Sequence, residues 1–104
     1  MANFVLLYTG GGIATTDAER AKMMEAWGAW FGKLGDAVVD GGNPTTPQSK
    51  TISSDGSGVD SPAQVTGYSI IKASSLDDAT TKARGCPVLQ GGAKVMVFET
   101  FEAM

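Results

Sequence analysis

Histidine is absent from this 104-residue chain, and cysteine occurs once, as Cys86. Without histidine the chain lacks the commonest general base near neutral pH and the commonest metal ligand. A zinc or iron site would have to be assembled from carboxylates, which suit those metals poorly, so neither a metal nor another cofactor is expected. A single cysteine forbids an intrachain disulfide and leans towards a reducing cytoplasm. Basic residues are sparse, eight Lys and Arg against eleven Asp and Glu, for a formal charge of −3. They form no cluster able to neutralise phosphates, so no nucleic-acid partner is expected. Long apolar runs are lacking as well. The run NFVLLYT near the start is too short for a membrane span, and no basic residue precedes it as a signal peptide would require. It reads as a strand, and no membrane partner is expected.

What is present suits one soluble domain, residues 1–104, with 42% hydrophobic and 18% charged residues. Asn3–Thr9 is apolar on both faces, which predicts a central strand covered twice. Thr16 and Glu19 form a capping box that opens a helix. Met23, Met24, Trp27, Trp30, Phe31 and Leu34 then fall in an arc of roughly 120°, a core-facing stripe. Gly35 ends the helix. Beside the stripe, Ala21, Gly28, Gly32 and Gly35 line up, and mid-helix glycines predict that something approaches the backbone closely. Asp36–Asp40 predicts a short strand and Gly41–Pro44 a turn. Gln48–Ser53 alternates like a short edge strand, and Ser54–Pro62 has the composition of an exposed loop. Val65–Lys72 is a strand, and a second helix starts near Ser75 with Leu76, Ala79 and Ala83 as its buried face. Gly85 and Pro87 stop it, and Lys94–Thr100 is the last strand.

Two strand–helix–strand halves with right-handed crossovers predict an α+β, ferredoxin-like βαββαβ antiparallel sheet. Both helices cover one face. The other face would expose an apolar patch larger than soluble monomers tolerate, so the expected partner is a second copy, in a face-to-face homodimer.

The stretches FVLLY, W..WF..LG.AVV.GGNP, TGYSIIKASSLDDAT..A..CP and KVMVFE, in that order and spacing, resemble the YCII-related (DGPF-domain) family over nearly the whole chain. The resemblance implies a ferredoxin-like fold that dimerises into an α/β barrel, with a ligand cleft between helix and sheet. It also implies a first-helix histidine in catalytic members, which aligns near Met24 here. A thioether takes up no proton, so histidine-based catalysis is not expected. The DGPF segment is replaced by SDGSGVDSPAQVTGY, which keeps Asp55-Gly56 without the Pro-Phe.

Candidate site residues follow from the residues themselves. Trp27 and Trp30 could wall a cleft for a small apolar or aromatic ligand. Trp27, at the centre of the stripe, reads first as core and dimer packing, and Trp30, at its edge, as the better cavity candidate. Tyr8 and Tyr68 lie on the two predicted central strands, and two phenols would converge there if they share a face. Asn43 could donate and accept towards a ligand, or simply start a turn. Asp36 and Asp40 are the candidate catalytic carboxylates, with a solvated strand end and a turn as the alternative reading. Cys86 reads as a small buried hydrophobe, since nothing present would activate it as a nucleophile. Gly10-Gly11-Gly12 lacks the spacing of a phosphate loop. The expected function is a small-molecule-binding barrel module without histidine chemistry. The alternative is an isomerase or lyase acting on a small ring compound through a carboxylate base.

Overall fold

The strand that opens the chain is flanked on both sides, as its two apolar faces demand. A computed structural model describes residues 2–10, 16–46, 48–56, 58–62 and 65–102. Strand β1 (Ala2–Thr9) leads to helix α1 (Asp17–Leu34), a 3-10 turn and the short strand β2 (Val38–Asp40). A hairpin of β3 (Gln48–Ile52) and β4 (Gly58–Pro62) follows, then β5 (Val65–Ala73), helix α2 (Leu76–Ala83), a second 3-10 turn at Pro87–Gly91 and β6 (Lys94–Glu99). The four-stranded sheet has the order β2-β5-β1-β6 with every neighbour antiparallel. Leaving out the hairpin, this is the strand order of a ferredoxin-like fold, with the first and third main strands central.

The helix signals act where the residues place them. The Thr16 hydroxyl accepts from the Glu19 N–H, satisfying one of the orphan donors of α1. Gly35 closes that helix at φ 58°, its N–H donating to the Phe31 carbonyl. Ser75 caps α2 through the Asp78 N–H. Lys82 bridges to Asp78 at 2.8 Å, and this ammonium, with the Ser74 N–H, holds the Asp78 carboxyl down at about 2.

Both helices pack on one face of the sheet. Phe4, Leu6 and Tyr8 of β1 and Ile71 and Ala73 of β5 meet Trp30 of α1 and Ala79 and Ala83 of α2. Trp30, 5% exposed, is the seat of α1. Its indole N–H donates to the Lys82 carbonyl at 3.2 Å, tying the two helices together, and its ring lies so close to Gly85 that a Cβ there would crowd it.

Neither helix packs on the opposite face. Strand register sets its rows: Phe98, Val5 and Ile70 stand abreast, and Met96, Leu7 and Tyr68 form the next row. Met96 is 45% and Phe98 44% exposed. At one end Asn3 stands opposite Lys72, and at the other Thr9 lies between Lys94 and Val65.

Several expectations are corrected. The strand expected over Asp36–Asp40 is only Val38–Asp40, because Gly35–Ala37 winds into a 3-10 turn. The exposed loop expected over Ser54–Pro62 holds strand β4, which pairs with the expected short strand β3 in a separate two-stranded sheet. The molecule measures 44 × 40 × 18 Å, and the radius of gyration is 15.1 Å, against about 13 Å for a compact chain of this length. Leu76 is exposed and leaves the buried face of α2 to its two alanines. Among the described residues, no neighbouring segment approaches Gly28 or Gly32, since a Cβ at either would meet no such atom within 4 Å. Glycines 11 and 12 lie outside the described residues.

Candidate functional site

A cavity of about 570 Å³ opens between α1 and the sheet. Helix α1 supplies Met24, Trp27, Gly28 and Phe31, which share one side through their i, i+3, i+4 and i+7 spacing. The sheet supplies Tyr8 from β1 and Thr66, Gly67 and Tyr68 from β5. The turn Gly41–Pro44 closes a third side, and Val88 contributes from the turn after α2. No Asp, Glu, Lys, Arg or Cys is among the described residues that line it.

The aromatic wall is rigid because its rings brace one another. Trp27 packs edge-on against Tyr8, with centroids 5.4 Å apart, and against Trp30 at 5.6 Å, and it tilts against Phe31 at 5.6 Å. Such pairs add about 0.5–1.5 kcal/mol each beyond area burial.

Beneath this wall runs a buried polar relay. The Tyr8 hydroxyl donates to Ser69 Oγ at 2.6 Å, and Ser69 donates to the Gly41 carbonyl at 2.8 Å. Burial pushes the Tyr8 phenol well above its ordinary range, outweighing the Ser69 hydrogen bond, and burial likewise raises the Cys86 thiol beside it. Both groups are therefore neutral near pH 7, and neither is a base.

The relay also anchors the turn. Asp40 accepts from the Gly42 N–H at 2.8 Å, so this carboxylate builds an Asx turn before the glycines. Gly42 has φ 79°, and a Cβ there would overlap the Tyr68 carbonyl, so only glycine lets the turn lie this close to β5. Asn43 and Thr45 then clasp the strand, the Tyr68 N–H donating to the Asn43 carbonyl and the Thr45 N–H to the Thr66 carbonyl.

The structure gathers some of the sequence candidates and separates others. Tyr8, Trp27 and Asn43 border the cavity. Trp30 does not: it is buried between the helices, and Trp27, not Trp30, presents its ring to the opening. One residue of helical rotation decides this, and the stripe alone does not show which edge meets α2. Tyr8 and Tyr68 do not share a face. Tyr8 stands opposite Gly67, on the helix side, whereas Tyr68 stands opposite Leu7, on the bare side. Tyr68 is nonetheless among the residues that line the cavity. Asp36 and Asp40 are exposed and line no part of it. Met24, the position that the family resemblance aligns with a histidine, lies at the rim and is 76% exposed.

Phe31, Gly28, Thr66 and Gly67 were not singled out as ligand-facing. For Gly28 a signal existed, since a mid-helix glycine disfavours the helix by about 0.8–1 kcal/mol relative to alanine. It marked an open space instead of a close neighbour. Among the described residues no group of three or more Cys, Asp or Glu side chains could hold a metal ion, and no helix is long and apolar enough to cross a membrane. Comparison with protein-family models, curated proteins and solved structures finds no match to this chain.

Proposed function

We propose that this protein is a small-molecule-binding module, a homodimeric α/β barrel that holds an apolar or aromatic compound without acid–base catalysis. The observation that carries this reading is the aromatic cavity beside α1, of ligand-sized volume and with no charged side chain among its described lining residues. Kinship with the YCII-related family rests on the sequence stretches that resemble it, and the strand order agrees with the fold that family implies. Proton transfer has little support. The two candidate carboxylates stand outside the cavity, and Tyr8 on its wall is held neutral.

Dimerisation is supported by the bare sheet face. Its two apolar rows form a surface that can pair with its own copy about a two-fold axis. Solvent extraction of the purified protein followed by mass spectrometry tests the binding function, together with thermal stabilisation by a panel of neutral ring compounds. A recovered small molecule, or a concentration-dependent rise in Tm with a ring compound, is the expected result. An empty extract together with no stabilisation by any member of the panel would overturn the reading.

A further inference from the structure

We infer that the cavity selects an uncharged planar ring compound and that Gly28 sets the room available to it. This rests on the binding-module reading and specifies its ligand class. Four observations converge. First, Gly28 has no packing reason to be glycine: a Cβ there would meet nothing within 4 Å, yet the residue borders the cavity. The other glycines around the cavity differ. Cβ atoms at Gly67, Gly41 and Gly42 would meet the turn, Phe31 and the β5 backbone respectively. A side chain at Gly28 would therefore take up space beside the cavity without disturbing a neighbour.

Second, the described wall has no charged group to compensate an ion, and moving an ion from water into such a setting is strongly unfavourable. Third, the rings do not form an open cage for a cation. Trp27 is occupied by three other rings, Tyr8, Trp30 and Phe31. What remains is a rigid apolar slot, suited to the flat face of a ring. Fourth, the hydroxyls of Tyr8 and Thr66 on the cavity wall already donate, to Ser69 and to the Tyr8 carbonyl. Asn43, exposed and among the lining residues, carries an amide able to meet a single hydroxyl or carbonyl on the ligand.

Isothermal titration of the purified full chain with three probes of one ring system tests this: 2-naphthol, 2-naphthoate and a naphthyltrimethylammonium salt. The expected order is naphthol binding at least about tenfold more tightly than either ion. Gly28→Leu should weaken naphthol at least about tenfold by filling the slot, whereas Gly32→Leu should leave it unchanged, because Gly32 is equally open but lies off the cavity. Circular dichroism checks that both variants fold, and Gly28→Ala supplies the same comparison at shorter reach if the leucine does not. If either ion binds as tightly as naphthol, the uncharged class is wrong. If naphthol binds but Gly28 variants bind it equally, the assignment to this slot is wrong while the binding function survives. If no probe binds the native chain, the assignment of an uncharged planar ring ligand is wrong, and the binding function is decided separately by the solvent extract and the thermal panel.

Discussion

Leu7→Glu is the sharpest probe of the assembly. Leu7 lies on central strand β1, on the bare face, between Met96 of β6 and Tyr68 of β5. It is half-buried in the single chain, so pairing of two sheets would bury only the remainder. That remainder is at most about a third of a full leucine burial, ~0.5–1 kcal/mol, and two-fold symmetry counts it twice. Two carboxylates would also lose water in an apolar interface, at a further ~1 kcal/mol or more each. The sum is about 3 kcal/mol, roughly a hundredfold in the dimer dissociation constant. In the separate protomer the same change is a strand substitution on a half-exposed surface and destabilises by only about 1 kcal/mol. Sedimentation velocity across a concentration series measures the association, and far-UV circular dichroism confirms that the protomer still folds. The expected result is a native dimer and a folded, monomeric variant at micromolar concentration. A native chain that sediments as a well-behaved monomer would refute the reasoning, as would a variant whose dissociation constant is unchanged.

Further outcomes follow from the core and the turn. Trp30→Phe should lower stability by about 1 kcal/mol through loss of the indole bond to the Lys82 carbonyl, and Trp30→Ala by about 3–5 kcal/mol through the void; thermal melts should show several degrees between native and phenylalanine forms. Gly42→Ala should cost more than about 1–3 kcal/mol, since both the positive φ and the Tyr68 carbonyl oppose a Cβ; denaturant titration reads it. Tyr8 is protonated in the folded chain to higher pH than when unfolded, so its contribution is fully present below its ordinary value near 10 and declines as pH rises above it. Urea titrations from pH 8 to 11 should therefore show stability falling above about pH 10, and Tyr8→Phe should reduce that fall.

Local chemistry made the frame legible in the residues themselves. A strand apolar on both faces has to be central, Thr16 and Ser75 cap helices wherever the chain goes, and Gly35 ends one because few residues accept its positive φ. The βα order with two helices then leaves a single sheet arrangement, and the strand pairing agrees. The hairpin escaped because its strand β4, in GVDSP, is held by pairing with β3 and not by any apolar pattern of its own.

The site was less legible, because it depends on rotation and register to within one residue. A helical stripe shows that Trp27 and Trp30 point inward, but only the docking of α2 decides that Trp30 is enclosed and Trp27 faces the cavity. Tyr8 and Tyr68 look equivalent in their strands, yet antiparallel register sets Tyr8 against Gly67 and turns Tyr68 to the other side. Gly28 shows the same limit: an isolated glycine reports that a side chain is unwelcome, and only the space around it tells whether a neighbour or a void is the reason. Propensity, capping and periodicity are properties of short segments and are written in the order of residues. Which apolar surface is closed and which stays open is a property of distant segments brought together, and only the packed chain decides it.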